Sequence, residues 1–352
     1  MSFSATIIGE GDLAEYDSFI ERCSDALIYH TGDYLRCLRR ILPESELSIL
    51  GVRSAGALVG TLALLSRDGP VGRIANSLPY FGSHGDVIVD GNFRDKSRVS
   101  HELMALLSEF TRDQGFSAIN IVSHPVKSHI SEDAPSVGLQ AWDYRTSFIT
   151  HLPSEDNREA AIEAILRMCQ QKTRNLVRKG LRSGFRIEIE DADASWNEFI
   201  RHHICSMNRI GGRHKSPAEF AAFRQAFEQR DQCRLYVARD GTTFAGALMN
   251  LYYRDCVEYF APVAVADYRS QQVVSAIIAH AMCDAALSGH IRWNWGGTWR
   301  SQAGVRHFKA GWGPAEHDYQ YWGKVTRPEI YELRSSQCVQ FYPNYYIYPF
   351  GR

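Results

Sequence analysis

Apolar and polar positions along this chain fall into two blocks that run through the same order of elements. The first opens with a short strand over 5–8 and two helices over 13–23 and 33–42. In the second of these helices Tyr34, Leu35, Leu38 and Ile41 share one face, Asp33 is placed to cap the start, and Pro43 ends it. Alternation then marks a hairpin, 47–53 and 57–66 about the turn Ser54-Ala55-Gly56, and a third extended segment over 73–78 follows. A helix over 96–114 carries Leu103, Leu106, Leu107 and Phe110 and stops at Gly115, and 118–122 is a continuously apolar strand. A polar, proline-bearing hinge over 150–157 separates the blocks. The second block has a long helix over 158–180, a strand at 186–190, and helices over 195–208 and 217–229. A hairpin of 233–239 and 244–253 follows, then a strand over 256–265, a helix over 270–287 and a strand over 290–295. The two hairpins match: Leu58-Val59-Gly60 and Phe244-Ala245-Gly246 each place apolar residues and a glycine just beyond the turn. The pattern predicts a tandem duplication of one α/β unit. Each half is a mixed, mostly antiparallel sheet flanked by helices, with domains over 1–152 and 153–352.

The length of 352 residues suits two such domains. Thirty-nine Lys and Arg against 40 Asp and Glu leave a net charge of −1, which argues against a protein whose main task is coating nucleic acid. No run approaches the ~20 apolar residues of a membrane span, and the first residues lack the regions of a signal peptide. A cytoplasmic location is expected. The eight cysteines are scattered, with no Cys-x-x-Cys and no zinc spacing, so reduced thiols and no bound metal are expected.

Several stretches carry candidate chemistry. Trp295-Gly296-Gly297-Thr298-Trp299 is followed by a helically spaced segment that ends in Phe308-Lys309 and by Gly311-Trp312-Gly313. Glycines allow a sharp turn or a close approach to a ligand, and a cation just beyond them can meet negative charge that develops in a reaction. A strand-to-helix turn packed with tryptophans has the same composition. Arg174, Arg178 and Arg182 lie four apart on one helix face, beside Lys179, where they suit a phosphate or form a solvated basic face. In the loop Pro79-Tyr80-Phe81-Gly82-Ser83-His84-Gly85-Asp86, His84 and Asp86 can take a proton from an amine, while the proline and glycines alone make a tight turn. Glu258 and Tyr259, neighbours on a strand, point to opposite faces and read as packing. The basic loop over 209–215 reads as an exposed connection. The aromatic tail over 341–350 is expected to pack on its own domain or on a second subunit in a homodimer.

Three of these stretches together resemble known proteins. The second half resembles a GNAT-type acyltransferase domain, and the duplicated layout resembles the Fem-type aminoacyltransferases of cell-surface synthesis. The segment Lys172-Thr173-Arg174-Asn175-Leu176-Val177-Arg178-Lys179-Gly180 is similar to the basic helix at the start of their second domain. Gly296-Gly297-Thr298 followed by Phe308-Lys309 resembles their glycine turn and Phe-Lys pair, and Pro79-Tyr80-Phe81-Gly82 resembles a loop of their first domain. The resemblance implies transfer of an acyl or aminoacyl group to an amine, on an amino sugar, sugar nucleotide or other cell-surface glycan precursor. It implies an acyl-coenzyme A or aminoacyl-tRNA donor. It places Lys309 near the reacting carbonyl, with Tyr80, Phe81, Arg174, Arg178, Gly296, Gly297, Thr298 and Phe308 about the substrates. The GNAT pyrophosphate loop is usually Arg or Gln, two residues, Gly, one residue, Gly or Ala. The matching place here, Arg269-Ser270-Gln271-Gln272-Val273-Val274, keeps the arginine and lacks both glycines. Arg269, Ser270 and Gln271 are the donor-binding candidates. The alternative is a non-catalytic tandem module that binds a nucleotide or partner protein.

Overall fold

A computed structural model describes residues 3–81, 84–130 and 132–349. The chain forms two compact units: unit 1 comprises Met1–Thr146 and Asp318–Arg352, and unit 2 comprises Ser147–His317. Unit 1 begins with β1 (Phe3–Ile8), α1 (Leu13–Arg22), α2 (Gly32–Ile41), the hairpin β2 (Glu46–Ser54) and β3 (Ala57–Arg67), and β4 (Ile74–Ser77). A two-residue β5 (Ile88–Val89), α3 (Lys96–Asp113) and β6 (Ala118–Val122) follow. β1 to β4 form an antiparallel run, β4 pairs with β6 in parallel, and β5 pairs with β3. Val99, Leu103 and Leu107 of α3 are buried in the core shared with Leu50, Leu62 and Ile121. The cap of α2 is Thr31, whose Oγ1 accepts the Tyr34 N–H at 3.2 Å; Asp33, expected there, pairs with Arg36 at 2.7 Å.

β7 (Gln140–His151) crosses from unit 1 into unit 2. Unit 2 then holds α4 (Arg158–Met168), α5 (Gln171–Arg182), β8 (Arg186–Ile189), α6 (Asp193–Arg209), α7 (Pro217–Phe227), β9 (Cys233–Asp240), β10 (Thr243–Tyr253) and β11 (Cys256–Ala264). A 3-10 turn over Ala266–Gln271 precedes α8 (Val273–Leu287), β12 (Arg292–Trp299) and α9 (Ala303–Ala310). The sheet order is β12-β11-β10-β9-β8, antiparallel except for the parallel β11–β12 pair. α8 is apolar on nearly every side and is buried beneath α4 and α5 against β9, β10 and β11. β13 (Ala315–Val325) returns the chain to unit 1, where it pairs antiparallel with β6, and α10 (Ser335–Phe341) follows.

The duplication is present: each unit runs strand, two helices, three-stranded meander, helix, strand. The glycine that follows each hairpin has the same use. A Cβ at Gly60 would overlap Val99 of α3, and one at Gly246 would lie 2.8 Å from the Val263 carbonyl and 3.3 Å from Val273 of α8. The meander can therefore take its long helix at close range only without a side chain there.

Four expectations are corrected. The helix over 158–180 is two helices, because Cys169 and Gln170 are extended (ψ 143° and 151°) and the Gln170 N–H donates to Gly311 O at 2.9 Å. The helix expected from Ser270 starts at Val273, after the 3-10 turn. The strand expected over 290–295 runs to Trp299, straight through the double glycine. The tail, expected on its own domain (153–352) or on a second subunit, packs in unit 1, and residues 350–352 lie outside the described set. There Tyr342 is fully buried, its hydroxyl donating to Gly72 O at 2.7 Å and accepting the Val71 N–H at 3.1 Å, and the Tyr345 hydroxyl donates to Ser45 Oγ at 2.7 Å.

Unit 1 also buries three histidines. His30 Nδ1 accepts the Leu27 N–H at 3.0 Å, and His124 Nδ1 accepts those of Val126 and Lys127 at 3.1 and 3.0 Å. Each Nε2 therefore carries the proton and has no partner among the described residues. His84 Nδ1 donates to Ser123 O at 3.0 Å, and its ring lies 4.8 Å from that of Tyr319. Burial pushes His30 down to about 3 and His84 to about 4, and burial with the neighbouring rings of His30 and His84 holds His124 well below the usual range.

Two outcomes follow. Tyr342→Ala removes a fully buried ring and should cost about 3–5 kcal/mol of stability, read by urea denaturation; a change under about 1 kcal/mol would mean that the tail is not part of the fold. The three histidines bind fewer protons folded than unfolded. Their contribution is complete above pH ~6.5 and is lost as the pH falls toward 4 and below. Asp86, raised by burial, works in the opposite sense. The comparison with His84→Gln isolates the effect: wild-type stability should fall more steeply between pH 6.5 and 4 than that of the variant, and equal slopes would refute it.

Candidate active site

β11 and β12 pair over only three positions, Cys256↔Arg292, Val257↔Trp293 and Glu258↔Asn294. Beyond them β11 continues to Ala264 and β12 to Trp299 with no further pairing between the two. The strands part at a pair of buried polar side chains. Asn294 Nδ2 donates to Glu258 Oε1 at 3.1 Å, and Asn294 Oδ1 accepts the Gly296 N–H at 2.9 Å. Glu258 and Asn294 are 3% and 0% exposed, so their polar atoms must be satisfied within the protein. Gly296 has φ +69°, which glycine adopts without strain, and a Cβ there would meet nothing within 4 Å. The backbone at Gly296 thus borders open space.

α9 brings Lys309 to this backbone. Its Nζ donates to Gly296 O at 3.0 Å and Gly297 O at 3.1 Å and lies 5.8 Å from the Phe148 ring centre. Its third hydrogen has no acceptor among the described residues. Lys309 is 6% exposed, and burial alone lowers its pKa to about 8. Around it the Trp295 ring lies 5.4 Å from Trp312 and 6.1 Å from Phe308, which is itself 37% exposed. Trp295 Nε1 donates to Thr150 Oγ1 at 2.9 Å, and that hydroxyl donates to Trp312 O at 3.3 Å. Thr298 is buried with its Oγ1 unpartnered among the described residues. The predicted residues Lys309, Gly296 and Gly297 therefore touch directly, and Phe308 joins them through Trp295.

One helix earlier, Arg269 and Ser270 are exposed and Gln271 half-buried in the 3-10 turn before α8. α8 starts without a side-chain cap. Gln272 has φ +61°, the left-handed conformation, at the place where the resembling loop has its first glycine. The glycine is absent and its backbone conformation is kept. A helix start whose amides lack a side-chain partner, next to an exposed arginine, suits a phosphate group.

The other predicted residues have different surroundings. Arg174 donates to the carbonyls of Leu166, Arg167 and Cys169 at 2.7, 3.2 and 2.9 Å, so it caps the end of α4. Arg178 is exposed on α5. Tyr80, Phe81, His84 and Asp86 lie in unit 1, and Gly82 and Ser83 between them are outside the described residues. Tyr80 has φ +92°, and its N–H donates to Asn344 O at 3.0 Å. Its ring lies 4.9 Å from that of Phe81. Asp86 accepts the amides of Val87, His124 and His129 at 2.6, 2.9 and 3.3 Å. Asn294 was missed, although an amide between two tryptophans in an apolar strand is itself a signal of a buried polar contact. Among the described residues no cluster of His, Cys, Asp or Glu could hold a metal, and no helix is long and apolar enough to cross a membrane.

A family model for the acetyltransferase (GNAT) domain matches residues 167–317. A search of curated proteins finds no match by sequence. Among solved structures, FemX superposes with a TM-score of 0.71 at 12% identity, over 94% of this chain and 99% of that one. The C-terminal domain of a putative lysylphosphatidylglycerol synthetase from Agrobacterium fabrum gives 0.61 at 12%, over 96% and 99%. A tandem GNAT protein from the clavulanic acid biosynthesis pathway gives 0.56 at 14%, over 92% and 98%. At these identities the likeness is one of fold. Residues 167–317 match the GNAT-domain family model, and the chain has the tandem-GNAT fold of these neighbours.

Proposed function

We propose that the protein is an N-acyltransferase whose chemistry lies in unit 2, with acyl-coenzyme A as donor and the amine of an amino sugar, sugar nucleotide or related glycan precursor as acceptor. The observation that carries the donor is the uncapped start of α8 behind Gln272 in a left-handed conformation, with Arg269 exposed beside it. Free amides at a helix start and an exposed guanidinium suit a pyrophosphate. An aminoacyl-tRNA would bring only its own phosphodiester backbone to that place.

In this reading the thioester carbonyl lies at the parting of β11 and β12. The neutral amine attacks the carbonyl carbon, and the C–O π pair moves onto oxygen. The amine's proton passes to Glu258, the buried carboxylate that Asn294 links to Gly296. Lys309, in its ammonium form, directs its third hydrogen to the oxyanion. Collapse of the intermediate re-forms the carbonyl and breaks the C–S bond, and coenzyme A leaves as a thiol with the proton that Glu258 took up. His84 and Asp86 are given no chemical step in this scheme: His84 Nδ1 donates to Ser123 O, and Asp86 accepts the amides of Val87, His124 and His129. Arg178, exposed on α5, is kept as an acceptor contact.

Calorimetry with acetyl-coenzyme A should show micromolar binding that weakens about tenfold, or 1.4 kcal/mol, in Arg269→Ala. No binding by the wild type, with binding of aminoacyl-tRNA instead, would move the protein to the aminoacyl class; binding of neither would favour a non-catalytic module. The Lys309 ammonium is lost as pH rises through about 8, so transfer should decline above that pH. Lys309→Met should lower kcat by about 100- to 1000-fold. A variant that retains the wild-type rate would remove Lys309 from the mechanism.

A further inference from the structure

We infer that Asn294 is a positioning residue that sets the carboxylate of Glu258 and the backbone of Gly296 in one frame, and so couples the proton acceptor to the oxyanion-stabilising lysine. The inference rests on the acyl-transfer reading above.

The orientation of the Asn294 amide is decided by its partners. The Gly296 N–H can only donate, so the atom 2.9 Å from it is Oδ1. The other atom is then Nδ2, which can only donate, and it meets Glu258 Oε1 at 3.1 Å. Glu258 is thereby held with Oε1 as an acceptor, and a proton that the carboxyl takes up goes to Oε2. On its other side Gly296 presents its carbonyl to Lys309 Nζ at 3.0 Å. Glu258, Asn294, Gly296 and Lys309 form one continuous chain of hydrogen bonds drawn from β11, β12 and α9. It crosses the place where the strands separate and where no sheet ladder holds them. The Asn294 side chain bonds on both sides, once to each strand.

An amide is the one group of its size that can serve both neighbours. Aspartate keeps an acceptor for the Gly296 N–H but turns a second carboxylate oxygen toward Glu258 Oε1. Two carboxylates at hydrogen-bond distance cannot both ionise freely, so the pair holds a proton to higher pH. Leucine, of similar volume, serves neither. The charged groups that face the pair are Arg292, two residue pairs away on the sheet, and Asp255, which Arg292 binds at 2.5 Å; Cys256 Sγ lies 3.8 Å from Glu258 Oε1.

The test is the pH profile of kcat/KM for acetyl transfer to an amine acceptor, on the intact protein, for wild type, Asn294→Asp and Asn294→Leu. In Asn294→Asp the acid limb should move up by at least one pH unit, which lowers kcat/KM about tenfold on that limb, while the affinity for acetyl-coenzyme A by calorimetry stays within twofold. Asn294→Leu should lower kcat at all pH values with little change in the donor's KM. The double variant Glu258→Gln with Asn294→Asp restores an amide-to-carboxylate bond with the groups exchanged. It should recover the melting temperature of the wild type and remain inactive. An active wild type whose Asn294→Asp variant keeps the wild-type acid limb overturns the role of Asn294 alone. Full activity in the double variant does the same. A wild type that binds no acyl-coenzyme A and transfers no acyl group overturns the functional reading itself.

Discussion

The parting of β11 from β12 after Glu258 and Asn294 is the constraint on which the rest of unit 2 depends. A parallel ladder that ends inside the protein leaves backbone and side-chain polar groups without sheet partners, and each must be satisfied locally or cost free energy. Unit 2 meets this with side chains. Asn294 takes the Gly296 N–H, and Lys309 takes the Gly296 and Gly297 carbonyls. The open edge that results is a stretch of backbone fixed from the inside and free on the outside, where a Cβ at Gly296 would find nothing within 4 Å. Rigid support beneath an open face is what a site that orients a reacting carbonyl requires.

The same requirement explains why a buried lysine is tolerated. Among the described residues Lys309 faces no carboxylate, and burial lowers its pKa to about 8. Two carbonyls stabilise the ammonium without neutralising it. A carboxylate at that place would hold the charge more firmly and neutralise it. Arg174 shows the opposite outcome. Its Nε and Nη2 donate to carbonyls at the end of α4 and at its C-cap Cys169, so its charge serves the break between α4 and α5.

Elements with strong periodicity were legible in the sequence. The repeated order, both hairpins and the glycines at 60 and 246 follow from spacing, whereas the bonds of Lys309 to the Gly296 and Gly297 carbonyls appear only in the fold. What escaped has a common physical cause: the deciding partner lies far away in sequence. β7 reads Gln140-Ala141-Trp142-Asp143-Tyr144-Arg145-Thr146 over its first half, polar and aromatic without alternation, and is only half-buried there. β13 carries the same mixture over Ala315–Gln320. The break at Cys169-Gln170 has no proline or glycine; its cause is the carbonyl of Gly311. The double glycine reads as a turn because glycine usually marks one, yet β12 passes through it, bent at a single positive φ. Asn294 went unnoticed because an isolated amide in a strand has no meaning until its neighbours across the sheet are known.

The duplication sharpens the assignment of chemistry to one unit. Both units place a long helix after the meander, and a glycine of the hairpin lets that helix approach. The two helix starts differ. In unit 1 the side chain of Asp95 accepts the Arg98 N–H at 3.2 Å, so a carboxylate already occupies the start of α3 and repels any second anion. In unit 2 the start of α8 has no side-chain cap, and Gln272 carries the left-handed backbone in place of glycine. A left-handed residue that is not glycine costs on the order of 1 kcal/mol. That left-handed start, next to an exposed arginine and one helix before Lys309, is the physical basis for proposing the donor in unit 2 and not in unit 1.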